Sequence, residues 1–172
     1  KYLDMLAQKY PNHRSVNAEI VNLRAILALP KGTEYFLSDL HGEYDAFQYF
    51  VRSASGTIKM KIDENFRTIL SATDREQLAA LIYDPINELK RREANEDDFN
   101  AWCSAAIYRL IIICRAVSNK YTRSKVRRIL PDNTGYIMDE LMFADDDDNR
   151  QKYYQEIIDS VIEFRIAKTL IT

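Results

Sequence analysis

The sequence predicts an α+β chain that is mostly α-helical. Three observations carry this. Only four glycines and four prolines occur in 172 residues, too few punctuators for a turn-rich sheet architecture. Apolar residues recur at three- and four-residue steps over most of the length, the helical period. One short continuous apolar run, Tyr35-Phe36-Leu37, has the mark of a buried strand.

The elements follow in order. Residues 2–9 read as a short helix closed by Pro11. In residues 15–29, Val16, Ile20, Leu23 and Leu27 form one stripe, stopped by Pro30 and Gly32. The strand is expected over 34–38. After it Phe47, Phe50, Val51 and Ala54 share a helical face. Ile58, Ile62, Phe66 and Ile69 continue at helical spacing. Thr73 with Glu76 has the pattern of a capping box ahead of Leu78, Leu81 and Ile82. Asp84-Pro85 supplies an N-cap and first-turn pair for the next helix. The longest stripe, Trp102, Ala106, Leu110, Cys114 and Val117, lies in residues 98–118. Shorter helices are expected over 122–129 and 134–143, and a last one over about 149–168 carries Tyr154, Ile157, Val161 and Phe164.

A lone strand leaves its backbone hydrogen bonds unmade. Its partner must be another chain, sequence not present here, or an extended segment with a helical look. The candidate for the last is "GTIKMKI", residues 56–62, where Ile58, Met60 and Ile62 also alternate. Lys rather than Met at position 1, helical patterning from the outset and no stop signal at "EFRIAKTLIT" create the expectation of a fragment.

Composition bounds the function. Hydrophobic residues make up 47% and charged residues 29%, with a formal net charge of −2. Nothing in that balance points to nucleic acid or an anionic membrane. The run "AAIYRLIIICRAV" reads as too short, and too interrupted by Arg109 and Arg115, to span a bilayer. Cys103 and Cys114 would lie roughly 16 Å apart along a helix, too far to bridge, so they are expected as core thiols in a reducing, cytoplasmic setting.

The chemistry-bearing motif is Asp39-Leu40-His41-Gly42, at the end of the apolar run in "TEYFLSDLHGEYDAF". In an extended segment residues i and i+2 point the same way. Asp39 and His41 would then offer a carboxylate and an imidazole to one point beyond the strand, a donor set suited to Mn²⁺, Fe²⁺ or Zn²⁺. Gly42 permits a sharp turn into the next helix. The alternative is that Asp39 caps that helix and His41 only hydrogen-bonds nearby. Glu43 and Asp45 read as favourable charges at a helix N-terminus, and His13 as a surface residue between two helices.

Other clusters carry less chemistry. Arg123, Lys125, Arg127 and Arg128 form a basic cluster in "YTRSKVRR", either a phosphate or effector contact, or else a solvated face or ion pairs with acidic segments. The run Asp145–Asp148 lacks the ligand spacing and the glycine of an EF-hand and is expected to be a solvated loop ending in an N-cap at Asp148. The eleven tyrosines are spread out and form no base-stacking platform.

"LPKGTEYFLSDLHGEYDAFQYFVRSASGTIK", "YRLIIICRAVSNKYTRSKVRRILP" and "YYQEIIDSVIEF" resemble the N-terminal region of the class III fructose-1,6-bisphosphatases, bacterial enzymes of the calcineurin-like metallophosphoesterase superfamily. The resemblance implies the first strand and helical insertion of a β-sandwich with a two-metal site at its strand ends. Asp39 and His41 match the first motif, whose aspartate and histidine bind one metal, with Mn²⁺ as the expected ion. The later superfamily motifs, Gly-Asp-x-x-Asp-Arg-Gly and Gly-Asn-His-Asp/Glu, are absent. Residues 1–55 would be the start of the metallophosphoesterase domain and 56–172 an insertion. The implied parent hydrolyses fructose 1,6-bisphosphate in gluconeogenesis, and the fragment alone is expected to be inactive. Its partner would be a sugar bisphosphate, with no nucleic acid or membrane, and the insertion could serve homo-oligomerisation. The rivals are a metallophosphoesterase acting on nucleotides or phosphoproteins, and a non-catalytic helical regulatory or assembly module.

Overall fold

The computed structural model describes residues 1–32, 34–143 and 148–172. Eleven helices run through them: α1 (Tyr2–Lys9), α2 (His13–Leu27), α3 (Tyr44–Ser53), α4 (Thr57–Phe66), α5 (Ala72–Tyr83), α6 (Pro85–Asn95), α7 (Phe99–Ser118), α8 (Arg123–Arg127), α9 (Gly135–Met142), α10 (Asp148–Glu163) and α11 (Ala167–Ile171). A 3₁₀ turn, Ala54–Gly56, joins α3 to α4. Among the described residues there is no strand, and residues 34–40 are neither helix nor strand. The chain is therefore mostly helical, as its composition predicts.

The proposed pairing of residues 34–38 with "GTIKMKI" is corrected, because that segment is the start of α4. Ile58, Ile62 and Phe66 repeat at four-residue steps. Ile62 is 0% exposed and Phe66 2%, whereas Met60 points outward. The helical period accounts for all four side chains and the alternating one does not.

Several helix starts follow from caps. Asn12 accepts from the Ser15 backbone N–H at 3.0 Å, and its own N–H donates to Ser15 Oγ at 3.4 Å. This reciprocal box starts α2 two residues earlier than expected and makes exposed His13 its first residue. Asp84 and Asp98 accept from the N–H groups of Asn87 and Ala101. The Thr73–Glu76 box is corrected. Ser71 is extended, with φ −60° and ψ 163°, and its Oγ accepts from Asp74 N–H at 3.1 Å while donating to the Asp74 carboxylate at 2.7 Å. The helix has already begun when Thr73 is reached.

The last expected helix is two. α10 ends in a Schellman motif: Ile166 N–H donates to Val161 C=O at 3.1 Å and Arg165 N–H to Ile162 C=O at 3.0 Å. Arg165 occupies the left-handed position, φ 58°, where glycine is usual. The expectations for 145–147 lie outside the described residues; α10 begins at Asp148.

α7 is the axis of the core. Ile113 packs with Ile62, Phe66, Leu78 and Ala79 from α4 and α5. Cys103, Ala106, Ile107 and Ile111 pack with Leu81, Leu89, Val126, Leu141 and Val161 from the surrounding helices. Each buried aliphatic side chain contributes roughly 1.5–3 kcal/mol before entropy is charged against it. The helix that contains "AAIYRLIIICRAV" is longer than that run: by length and composition alone, the twenty residues of α7 are apolar enough to cross a membrane. Its buried side chains, Cys103, Ala106, Ile107, Ile111 and Ile113, belong to the face that α4, α9, α10 and α11 pack against. Cys103 is buried and Cys114 half-buried, both unpaired, and burial pushes the Cys103 thiol up to about 11.

Candidate metal arm and basic block

Residues 34–43 approach the body through Tyr35. Its ring meets Phe50 of α3 edge-on at 6.0 Å, and its hydroxyl lies 2.8 Å from Thr57 Oγ1 at the start of α4. Phe36, 90% exposed, and Leu37 and Leu40 project away. α3 is tied to α5 by an edge-on Tyr49–Tyr83 pair at 5.4 Å and by Arg52, which donates to the Tyr83 carbonyl at 3.2 Å.

The Asp-x-His-Gly motif is a tight turn rather than an extended strand end. Glu43 N–H donates to Leu40 C=O at 2.9 Å. The central residues His41 and Gly42 have φ 50° and 77°, and positive φ at both marks a type I′ turn. Asp39 is also left-handed, φ 54°. A left-handed residue other than glycine costs about 1–2 kcal/mol, although Asp and His bear it better than most. The i, i+2 geometry of an extended chain therefore does not describe Asp39 and His41 here. Both are exposed, and neither side chain makes a hydrogen bond among the described residues. The capping alternative fails on that ground: the N-cap position of α3 is Glu43, with no side-chain cap. Asp45 lies in the first turn of α3 as expected. Among the described residues no group of three or more His, Cys, Asp or Glu side chains is gathered to hold a metal.

The basic block divides by helix face. Residues 123 and 127 are four apart and converge on Asp139 of α9. Arg127 donates to Asp139 Oδ2 through Nε at 2.8 Å and through its terminal nitrogen at 2.5 Å, and Arg123 stands 3.5 Å from the same oxygen. The Arg127 hydrogen bonds hold the buried Asp139 carboxyl below its usual range. The guanidinium of Arg123 also lies over Phe143 at 4.3 Å. These two arginines act as structural fasteners between α8 and α9. Arg115 adds a third tie, donating to the Leu141 carbonyl in the last turn of α9 at 2.6 Å.

Lys125 points the other way. Its ammonium lies 4.4 Å from the Tyr121 ring centroid, and it lines a cleft with Lys31, Lys120 and Arg128. Sequence reasoning missed Asp139, Lys31 and Lys120. Arg128 belongs to the expected cluster, and its face is legible too: three residues from Lys125, it shares that face of α8 and not the face of Arg123 and Arg127. Asp139 and Lys31 come from distant positions, and no local spacing announces them.

The family model described as Firmicute fructose-1,6-bisphosphatase matches residues 1–172. Curated proteins named fructose-1,6-bisphosphatase class 3 are 46% identical in Clostridium tetani (strain Massachusetts / E88) and 45% identical in Clostridium botulinum (strain Hall / ATCC 3502 / NCTC 13319 / Type A). In both cases the match covers 99% of this chain and 26% of the relative. The chain thus spans about a quarter of the length of the curated relatives it matches. No solved structure matches it.

Proposed function

We propose the function from the family: the chain belongs to the Firmicute fructose-1,6-bisphosphatases, whose model spans all of residues 1–172. It is the N-terminal portion of a class III enzyme. The full-length protein hydrolyses fructose 1,6-bisphosphate to fructose 6-phosphate and phosphate, a gluconeogenic step in the bacterial cytoplasm. Its partner is the sugar bisphosphate, not nucleic acid or membrane, and the helices after residue 56 serve as a homo-oligomerisation surface.

Asp39 and His41 hold one ion of a two-metal site. What supports this is their turn: two exposed residues kept in left-handed backbone, whose side chains make no hydrogen bond among the described residues. Strain that serves no local packing is characteristic of functional positions. A carboxylate oxygen and an imidazole nitrogen fit Mn²⁺. Two donors do not complete its coordination, so the chain by itself is inactive. When bound, divalent ions offset phosphate charge and ease the ionisation of water. The chain's own work is positional. Leu40 and Glu43 close the turn, Gly42 lets the backbone reverse, and Tyr35 ties the arm to α3 and α4. Residues 34–38 then pair as the first strand of a calcineurin-like β-sandwich, which would cover Phe36, Leu37 and Leu40. Residues 1–55 open that domain and 56–172 are its helical insertion.

Phosphate release from fructose 1,6-bisphosphate, measured with Mn²⁺, tests the reading on the full-length protein beside the 172-residue chain. Turnover is expected only in the former. Turnover by the 172 residues alone, or a full-length protein inert to this substrate and active on nucleotides, would overturn it.

A further inference from the structure

The fold places four cations around one cleft and, among the described residues, gives them no anion. Lys31 follows α2, Lys120 follows α7, and Lys125 and Arg128 share one face at α8. The cleft has a volume of about 500 Å³, and no acidic side chain among the described residues lines it. None of the four cations is within ion-pair distance of a carboxylate among the described residues, although the described chain pairs other arginines and lysines repeatedly. The ammonium groups of Lys120 and Lys125 both lie close to the Tyr121 ring, at 5.9 and 4.4 Å from its centroid. Lys120 is half-buried, and its aliphatic stem lies 3.8 Å from where a side chain on Gly32 would start. Leu29 and Pro30 add apolar wall.

Like charges gathered in a concave site repel one another, and the repulsion becomes attraction when an anion enters. Lysine and arginine are the usual donors to phosphate oxygens. The volume falls within the range of small-molecule pockets.

We infer that this cleft is a binding site for a small phosphorylated metabolite carrying at least two negative charges. Lys31, Lys120, Lys125 and Arg128 hold the phosphate groups, and Tyr121, Leu29 and Pro30 shelter the rest of the ligand. The division of "YTRSKVRR" by face supports it, since Arg123 and Arg127 are committed to Asp139 while Lys125 and Arg128 have no carboxylate partner among the described residues. The inference requires no metal and does not rest on the fructose-bisphosphatase reading. The shared chemistry is phosphate, and the concave shape favours a soluble molecule over a lipid headgroup.

The test is calorimetric titration of the 172-residue chain with inorganic pyrophosphate in metal-free, low-salt buffer. Saturable one-to-one binding is expected. It should weaken at least tenfold in a Lys120→Gln/Lys125→Gln double variant and stay within twofold in Lys59→Gln/Arg67→Gln, which removes two cations elsewhere. On the unsubstituted chain, amide signals of residues 29–32 and 120–128 should shift together during the titration. Absence of saturable binding, equal weakening in both double variants, or shifts confined to other residues would each overturn the site. So would retention on phosphatidylserine vesicles without any binding of pyrophosphate.

Discussion

Residues 1–56 and 57–172 carry helix signals of equal quality and meet opposite fates. The stripe of α2, Val16, Ile20, Leu23 and Leu27, is as regular as that of α7. Yet α1 and α2 bury no residue, and Ile20 is 42% exposed. Every buried apolar side chain among the described residues lies between Ile62 and Ile171. Periodicity tells which face of a helix seeks cover, and capping tells where the helix begins. Neither tells what covers the face.

The comparison breaks most visibly in hydrogen exchange. Core helices open only with the global free energy, whereas unpacked ones open locally. Amides in the middle of α7 should exchange at least about a thousandfold more slowly than those of α2. Equal protection would show that α2 has found a partner. Next in size is one substitution made in both regions. Ile62→Ala should cost about 2–5 kcal/mol in urea unfolding, and Ile20→Ala less than about 0.5 kcal/mol.

Acid sharpens the contrast further, because the perturbed carboxyls with buried side chains belong to the body. Arg91, then Arg92, hold Glu88 below its ordinary value of 4.5, and Arg127 holds Asp139 below 3.8. A depressed carboxyl stabilises the fold above its unfolded value, and that contribution is lost as pH falls through the lower folded value. The urea midpoint should therefore be flat near neutrality and fall progressively below about pH 4.5. Glu88→Gln should make the decline shallower. The smallest effect separates two caps: Ser71→Ala should cost about 1 kcal/mol, and Thr73→Ala only a few tenths.

Caps and stripes made most of the body legible in the sequence. Asp84-Pro85, Asp98 and Thr122 each stand where a helix begins. Misreadings arose where the deciding interaction is distant or atypical. The break at Arg165 has no glycine or proline to announce it. Tyr35-Phe36-Leu37 reads as a strand because it is apolar, but a strand exists only when a second one pairs with it. Of the candidate site, the sequence offered Asp39 and His41 as donors, while their left-handed turn was not legible. Arg123 and Arg127 were visible as a basic pair, and their tie to Asp139 depends on how α8 meets α9.

The central claim is that the uncovered arm holds metal while the covered body does not. Metal content and turnover of the full-length protein, unsubstituted and as Asp39→Ala and His41→Ala, test it most directly. Each variant should lose about one Mn²⁺ per subunit and at least a hundredfold in kcat, a size typical of a lost electrostatic catalytic group, with its helical circular dichroism unchanged. Full metal content and unchanged turnover in both variants would contradict the account.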